Sequence, residues 1–515
     1  MRVALQCLRC EAIFLTLSLS VSQREFAVPA DGMKEYKNMI TDTKYPEAFR
    51  SMFREYDIRG RVCDEELCPE NVYRIVKAYS QYLHRRKITR AVVGYDNRTC
   101  SPSFAKAAVD ALLEEGIDVF YIGLALSPLA YFAQYYLKCE GAVMITASHN
   151  PDGWSGFKLA NGYSKTLEPD DIKEVYSLLD KPTESAVRGT YTETDVRDAY
   201  IDDIVSRIHM GPKKLRVVLD AANGGAGLFV YEVFQRLGCM TFQLNCDPDT
   251  SYPHYFPNPS DVAGRKRLHD MVLHPYIHAD IGLSFDGDGD RIGVIDEKGE
   301  NIWSDMVLAL IAKQLLEKKQ GATVVFDVKC SKALIDVIKQ NGGNPVMWKT
   351  GHSYIKSKMH ELHAELAGER SGHIFVGGDD WYGFDDAVFV AAKLVEFLSH
   401  KEEALSDILA SFPHYVVSPE IKAHCDDDIK YGIVEEIVAK LKAAYPGQVC
   451  DINGARVQFE HGWGLIRASS NLPELVLIFE ADTMEHLLEI RKIFKGYTRQ
   501  YKDISDQWEN DITEL

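Results

Sequence analysis

Three segments of this chain share one pattern, a short apolar and β-branched run that ends in an aspartate. Residues 92–96, 217–220 and 324–327 each precede polar or glycine-rich residues and then apolar positions at helical spacing. This order is typical of a buried parallel strand that leads into a helix. The three terminal aspartates lie 124 and 107 residues apart, at positions 96, 220 and 327, which is the length of a domain. The repeat therefore predicts three related α/β domains.

The last hundred residues do not continue this pattern. Residues 429–443 and 484–494 carry apolar side chains at helical spacing, residues 456–459 alternate, and residues 475–479 form a strand-like run. A chain of 515 residues has room for about three or four domains. We therefore predict a smaller C-terminal α+β domain. The predicted divisions are a leader or extension at 1–44 and domains at 45–197, 198–300, 301–412 and 413–515.

The charge of the chain limits its partners. A formal net charge of −18 argues against sequence-independent binding of nucleic acid, which requires a basic face. An anionic ligand would need positive charge gathered locally in a cleft. No apolar run reaches the roughly 20 residues that cross a bilayer, so no membrane partner is expected. The odd count of 11 cysteines indicates free thiols in a reducing compartment and no zinc site at the cysteines.

The N-terminal segment allows two interpretations of where the protein acts. Arg2 and Arg9 precede a mostly apolar stretch at 12–21, which resembles a secretory or organelle-targeting segment. Glu11 adjoins that stretch and argues against both, and a misassigned start codon is the simpler alternative. Because unpaired cysteines suit secretion badly, the sequence favours the cytoplasm, with targeting to an organelle as the alternative.

Three aspartates separated by single glycines follow a strand-like run at 281–285. These residues, called the aspartate trio below, are Asp286, Asp288 and Asp290. The glycines let the backbone curl so that the carboxylates can converge, and this number of hard oxygen ligands suits Mg²⁺. An EF-hand is the rival interpretation, but its glycine position holds Arg291 and the following residues, 292–295, are strand-like.

A second motif, Thr146-Ala-Ser-His-Asn-Pro, follows the apolar run 141–145. Alone it indicates only a turn, and it is not the Gly-x-Ser-x-Gly elbow of α/β-hydrolases. Beside a Mg²⁺ site, however, Ser148 becomes a candidate phosphoryl carrier, because its weak hydroxyl then needs neutralised charge rather than a strong base. A serine hydrolase is the alternative from another class.

Two polar loops have the chemistry to bind a sugar phosphate, and either could equally be a surface loop. In residues 368–373, Glu369 can accept hydrogen bonds from two neighbouring sugar hydroxyls, and Ser371 can add one more. In residues 467–473, Arg467 offers a bidentate fork to a phosphate. The short polar side chains beside it are Ser469, Ser470 and Asn471.

Taken together and in this order, the motifs resemble the α-D-phosphohexomutase superfamily, and most closely its phosphomannomutase/phosphoglucomutase branch. The resemblance runs from about Phe53 to the C-terminus. It implies four domains around a central cleft, with the first three of related α/β topology. It also implies an isomerase that interconverts hexose 1-phosphate and hexose 6-phosphate through a phosphoserine and a hexose 1,6-bisphosphate. Mg²⁺ as cofactor, glucose 1,6-bisphosphate as activator and a monomer or weak dimer are further implications.

The resemblance also assigns roles by position. Ser148 matches the phosphorylated serine, whose phosphate completes a Mg²⁺ site with the aspartate trio. The other catalytic candidates are His149, Lys158, Arg291 and His352, and Lys158 resembles the proposed general base. The candidates for substrate binding are Tyr56, Arg59, Lys329, Glu369, Ser371 and His373. The candidates for holding the non-reacting phosphate are Arg467, Ser469, Ser470 and Asn471.

One departure concerns the phosphate loop, which in the family reads Arg-x-Ser-Asn-Thr or Arg-x-Ser-Gly-Thr and here reads Arg-Ala-Ser-Ser-Asn from position 467. The donors are kept in kind, which predicts that phosphate binding is retained. The segments 348–356 and 383–386 resemble the mannose/glucose branch of the family, which implies mannose and/or glucose as the sugar. There are two alternatives. One is a phosphoglucosamine mutase, since such enzymes carry a loop similar to residues 368–373, called the sugar loop below. The other is a non-catalytic phosphoprotein scaffold.

Overall fold

The computed structural model describes residues 44–181, 187–261, 264–470 and 472–512. The predicted leader therefore lies outside the described residues, apart from Lys44. The chain divides into two compact units, one of which contains residues 44–415 and the other residues 416–512 of the described ranges. Across these ranges, none of the helices combines the length and the apolar character that crossing a bilayer requires.

The first sheet is built around a strand that ends at the first repeat aspartate. Its strands are β1 (Ile58–Arg61), β2 (Arg90–Tyr95), β3 (Asp118–Leu124), β4 (Gly141–Ile145), β5 (Trp154–Asn161) and β6 (Tyr191–Glu193). The accompanying helices are α1 (Glu47–Arg50), α2 (Pro69–Arg85), α3 (Ser101–Glu114), α4 (Ser127–Tyr136) and α5 (Pro169–Ser177). The strand order is β1-β5-β4-β2-β3-β6. Strand β2 is parallel to β3 and β4, and β5 returns antiparallel to β4.

The second sheet repeats this arrangement. Its strands are β7 (Arg216–Asp220), β8 (Met240–Leu244), β9 (Ile281–Phe285), β10 (Ile292–Asp296) and β11 (Asn301–Ile302), in the order β11-β10-β9-β7-β8. Its helices are α6 (Arg197–Arg207), α7 (Gly227–Arg236) and α8 (Lys266–Val272). Strand β7 is parallel to β8 and β9, and β10 is antiparallel to β9.

The third sheet repeats it again with four strands. They are β12 (Thr323–Asp327), β13 (Asn344–Trp348), β14 (Leu366–Gly368) and β15 (Ile374–Val376), in the order β13-β12-β14-β15. The helices are α9 (Ser304–Lys318), α10 (Lys332–Gln340), α11 (His352–Glu361), α12 (Ala387–Ser399) and α13 (Leu405–Leu409). In all three sheets, the strand that leads to the repeat aspartate has a parallel neighbour on each side. The predicted threefold α/β repeat is therefore confirmed.

The C-terminal unit has a different, largely antiparallel sheet. Its strands are β16 (Val416–Val417), β17 (Ile421–His424), β18 (Val449–Cys450), β19 (Ala455–Gln458), β20 (Gly462–Ala468) and β21 (Glu474–Ala481). Its helices are α14 (Asp427–Ala444) and α15 (Met484–Thr498), which confirms the predicted α+β class. Gly464 of β20 is required by packing, since a Cβ there would lie 2.4 Å from the ring of Phe494 on α15. The divisions between domains stay predictions.

Candidate active site

The loop after β4 presents Ser148 at the carboxyl end of the first sheet. Ser148 has a φ of 49°, in the left-handed region that side chains other than glycine rarely adopt. Its backbone N–H donates to the hydroxyl of Thr146 at 2.8 Å, and the side chain is buried. Backbone held in such a conformation is typical of functional sites, where the surroundings must fix it.

A buried arginine, Arg98, holds the backbone of the Ser148 loop in this conformation. Arg98, next to the first repeat aspartate, donates to the carbonyls of Ser148 at 3.2 Å, Asn150 at 2.6 Å and Pro151 at 2.8 Å. Its Nε donates to Asp96 Oδ2 at 3.1 Å, and both side chains are almost fully buried. Neither Asp96 nor Arg98 is among the site residues predicted from the sequence. The sequence signal that could have identified them is an aspartate and an arginine, two positions apart, directly after β2.

We expect Arg98→Met to disturb the Ser148 loop and to destabilise the protein by roughly 3 kcal/mol, because Asp96 would lose its buried countercharge and be left with hydrogen bonds from neutral groups such as the Ser101 hydroxyl. Urea unfolding measured by circular dichroism checks this. The matched control is Arg85→Met, which removes a half-exposed ion pair with Glu174 and should cost less than about 1 kcal/mol. Equal losses in the two variants would contradict the anchoring role.

The aspartate trio lies on the turn between β9 and β10. These strands form an antiparallel hairpin, so the EF-hand alternative, which needs a helix on each side, is wrong. Gly289 has a φ of 74°, which allows the turn, and a Cβ on Gly287 would lie 2.5 Å from the carbonyl of Ser148. Glycine at 287 is therefore what lets the trio approach the serine loop.

The two loops meet through side chains. The hydroxyl of Ser148 donates to Asp286 Oδ2 at 2.9 Å and also lies 3.1 Å from Nδ1 of His149. This direct contact between serine and carboxylate differs from a serine hydrolase, in which an imidazole stands between the two. From β5, the ammonium of Lys158 donates to Asp288 Oδ2 at 2.7 Å and to Asp290 Oδ2.

The trio has the properties of a cation site. One oxygen from each of its three carboxylates lies within 4.8 Å of the others, and all three residues are buried. Oδ1 of Asp288 and Oδ1 of Asp290 are buried without a hydrogen-bond partner among the described residues. Buried carboxylate oxygens in this state are costly unless a cation binds them. The donor set is therefore the one that a hard divalent ion prefers.

Burial and neighbouring charges shift the pKa values of Asp286, Asp288 and Lys158 in different directions. Burial, together with Asp290 and Asp288, raises the pKa of Asp286 well above its usual range. Burial acts in the same direction on Asp288, but Lys158 outweighs it and lowers the pKa of that carboxyl. Burial disfavours the charged form of Lys158, yet Asp288 and Asp290 raise its pKa well above the usual value. Lys158 is therefore an ammonium ion in this arrangement.

A chain of contacts leads from the trio into the third domain. Nε of Arg291 donates to Nε2 of His373 at 2.8 Å, and Nδ1 of His373 lies 2.9 Å from Oδ2 of Asp385. Lys356 approaches the other oxygen of Asp385 at 3.5 Å. The pairing requires His373 to keep Nε2 free of a proton. Asp385 and Lys356 were not selected as site residues from the sequence.

The remaining catalytic and first-domain candidates surround this chain. Burial, with Arg291 and Arg59 nearby, lowers the pKa of His149 well below its usual value. Burial has the same effect on His352, which packs edge-on against Tyr56 with ring centroids 5.0 Å apart. Arg59 Nη1 donates to the carbonyl of Ala147 at 3.2 Å and to the side chain of Asn150 at 2.7 Å, beside the serine.

The predicted sugar loop joins β14 to β15 and contacts the trio loop through its backbone. The N–H of Ile292 donates to the carbonyl of Gly372 at 3.1 Å. Glu369 is buried, burial raises its pKa, and its Oε1 accepts from the N–H of Gly351 at 2.5 Å. Lys329 is buried, and its charge acts against burial by lowering the pKa of Glu369. Ser371 is half-buried. The structure therefore brings the sugar-loop candidates to the edge of the trio.

The predicted phosphate loop belongs to the C-terminal unit. Arg467, at the end of β20, is buried, and its Nη2 donates to the hydroxyl of Ser470 at 3.2 Å. Its Nε has no hydrogen-bond partner among the residues described. The Ser469 N–H donates to the carbonyl of Glu474 at 2.9 Å. Asn471 lies outside the described residues. A buried guanidinium with free donor capacity suits an anion.

Four family models match the chain in consecutive order. The matches are "Phosphoglucomutase/phosphomannomutase, alpha/beta/alpha domain I" at residues 50–186, the corresponding domain II at 198–299 and domain III at 303–415, and the family's C-terminal domain at 420–495. They cover all three repeats and most of the C-terminal unit.

Individual proteins match over almost the same length. A phosphomannomutase/phosphoglucomutase of Pseudomonas aeruginosa is 38% identical over 457 residues, which are 89% of this chain and 97% of that protein. A phosphoglucomutase of Neisseria gonorrhoeae is 36% identical, over 87% of this chain and 96% of that protein. A solved structure of a phosphoglucomutase/phosphomannomutase family protein from Burkholderia thailandensis superimposes with a TM-score of 0.80 at 33% identity, covering 87% of this chain and 97% of that one.

Proposed function

Because the chain belongs to the phosphoglucomutase/phosphomannomutase family, we propose that it interconverts the 1- and 6-phosphates of mannose and/or glucose through phospho-Ser148. It is a hexose-phosphate mutase, an isomerase that moves a phosphoryl group within one sugar phosphate. The observation that carries the assignment of the serine is its hydrogen bond to Asp286 at 2.9 Å, with Lys158 on the neighbouring carboxylates.

The proposed reaction begins with phospho-Ser148 and a hexose monophosphate. The free sugar hydroxyl attacks phosphorus, the bond from phosphorus to Ser148 Oγ breaks, and a hexose 1,6-bisphosphate results. A base accepts the proton of the sugar hydroxyl, and Ser148 Oγ finally regains one, so protons balance. The bisphosphate then reverses its orientation, and its other phosphate returns to Ser148 by the same steps. Trace glucose 1,6-bisphosphate would keep Ser148 phosphorylated.

Positive charge next to Ser148 stabilises the transferring group. Arg291 is held by His373 and by the carboxylates, which raise its pKa against the effect of burial. A guanidinium fixed in this way meets developing charge without reorganisation. His149 is neutral at Oγ of Ser148, which suits an exchange of hydrogen bonds during transfer.

Lys158 is the proposed base, although its ordinary state here is the ammonium. The carboxylates of Asp288 and Asp290 hold its proton in place. With their charge neutralised by a bound cation, the same carboxylates would no longer do so, and burial would then favour the neutral amine. We therefore propose that Lys158 can act as a base only when a cation is bound to the trio.

The trio, with an oxygen of phospho-Ser148, is proposed to hold Mg²⁺. When bound, the ion supplies charge neutralisation at the transferring phosphoryl group. We expect Asp288→Asn to raise the Mg²⁺ concentration for half-maximal rate by at least about tenfold and to lower the maximal rate by about 100-fold. Steady-state rates across a Mg²⁺ titration measure both. Asp170→Asn, at a side chain 99% exposed, is the control. An unchanged Mg²⁺ requirement would refute the metal assignment.

A coupled mutase assay tests the sugar. Glucose 1-phosphate and mannose 1-phosphate are supplied separately with Mg²⁺ and a trace of glucose 1,6-bisphosphate, and EDTA is the control. We expect turnover of both sugars, because Glu369 and Ser371 can contact hydroxyls common to them, and EDTA is expected to abolish it. Turnover of one sugar phosphate alone would restrict the proposed substrate to that sugar. Turnover of neither would refute the proposal.

A further inference from the structure

A second group of metal-ligating side chains lies in the C-terminal unit. His461 is in the turn between β19 and β20, Asp482 follows β21, and His486 is in the first turn of α15. One ligand atom from each of the three lies within 4.8 Å of the others. The group is at the opposite end of β20 from Arg467, roughly 20 Å along the strand. It is therefore separate from the predicted phosphate loop.

The three side chains already converge on one point. Nδ1 of His461 lies 3.0 Å from Oδ2 of Asp482, and Nδ1 of His486 lies 2.5 Å from Oδ1 of the same carboxylate. The two imidazole rings are stacked, with centroids 4.0 Å apart and planes 10° from parallel. Both rings thus direct the same nitrogen to one carboxylate.

We propose that His461, Asp482 and His486 bind a divalent transition-metal ion of the zinc class. In a tetrahedral site with metal–ligand bonds near 2.1 Å, neighbouring ligand atoms are about 3.4 Å apart. The present separations of 2.5–3.0 Å are those of hydrogen bonds and are shorter by less than about 1 Å. To bind one ion, the two near-parallel rings would turn out of their stack, which is possible because His461 and Asp482 are exposed and His486 is only half-buried.

The backbone holds the three residues ready for this geometry. Strands β20 and β21 pair Gly462 with Ala481, and the N–H of Asp482 donates to the carbonyl of His461 at 3.0 Å. The N–H of His486 donates to the hydroxyl of Thr483, the residue that caps α15, at 3.2 Å. Since these bonds fix the backbone of the three residues before binding, only their side chains need to be ordered when an ion arrives.

The ligand types distinguish this site from the aspartate trio. Two imidazole nitrogens and one carboxylate suit Zn²⁺, Co²⁺ or Cu²⁺, whereas Mg²⁺ prefers oxygen ligands only. Three protein ligands would leave a coordination position open to solvent, because His461 and Asp482 are exposed. None of this depends on the catalytic assignments.

Calorimetric titration of the full-length protein with Zn²⁺ tests the proposal. Saturating Mg²⁺ is present, and the pH is about 8, because Asp482 raises the pKa of His486 and protons compete with the metal. We expect the wild type to bind one more Zn²⁺ per chain than the His461→Ala/His486→Ala variant. Asp482→Asn should bind that ion at least about tenfold more weakly. Visible absorption of bound Co²⁺ should be lost in the double variant.

The matched control is His360→Ala/His363→Ala, which removes two exposed imidazoles with centroids 6.4 Å apart that are in no metal-ligating group of the described residues. This variant should keep the additional Zn²⁺. Circular dichroism establishes that each variant is folded, and the single variants His461→Ala and His486→Ala replace the double variant if it is not. Equal Zn²⁺ stoichiometry in the wild type and the His461 and His486 variants would overturn the proposal, as would equal loss in the control.

Discussion

Replacing Ser148 by alanine is expected to lower kcat for hexose-phosphate turnover by at least about 10⁴-fold, because the variant has no oxygen to carry the phosphoryl group. The scaffold should survive the change, since the left-handed backbone of residue 148 is fixed by Arg98 and Thr146 rather than by the serine hydroxyl. The coupled assay with glucose 1-phosphate measures the loss. Mass spectrometry of the wild type should find phosphate on the peptide that contains residue 148.

Ser103→Ala is the control for this experiment. Ser103 lies on α3, is exposed, and donates to the carbonyl of Cys100 at 2.8 Å. The control should keep wild-type turnover. If Ser148→Ala retained more than about a tenth of the wild-type rate, with Ser103→Ala unchanged, the serine could not be the obligatory carrier.

The architecture was largely accessible from sequence because its signals are local and repeated. In each of the three sheets, the strand with a parallel neighbour on both sides is a continuous apolar run that leads to an aspartate at the carboxyl edge. Three such runs at domain-length intervals predict three sheets of one topology, and the strand orders confirm it. The C-terminal unit was recognisable by contrast, since its strands alternate or lack the terminal aspartate.

The supporting residues of the site were less accessible, because their roles depend on contacts between distant segments. Arg98 contacts a loop about 50 residues further along the chain, and Asp385 contacts His373, which in turn accepts a hydrogen bond from Arg291. No spacing rule connects such positions, and a buried ion pair looks like any charged pair in sequence. The trio was detectable because its ligands lie within five consecutive positions.

The contacts of Lys158 with the trio differ from the role that its sequence position alone predicts. Lys158 matched a general base by position, whereas its ammonium is bound by two of the three carboxylates. The ammonium and a divalent cation bound at the trio would therefore neutralise the same carboxylates, the ammonium at the Oδ2 atoms of Asp288 and Asp290 and the ion at their free Oδ1 atoms. Removal of Lys158 should therefore matter most for stability when no divalent ion is present, and most for activity when one is.

Lys158→Ala is accordingly expected to lower kcat by about 10³-fold at saturating Mg²⁺, through loss of the proposed base. Its unfolding midpoint relative to wild type should fall further in EDTA than in Mg²⁺, because without either cation the buried carboxylates repel one another. Thermal unfolding in both buffers measures this difference. Lys165→Ala, at an exposed lysine just beyond β5, should match the wild type in rate and in both midpoints. A midpoint loss that is equal in EDTA and Mg²⁺ would mean that Lys158 and the ion do not share the carboxylates, and the dependence of the base on metal occupancy would fail with it.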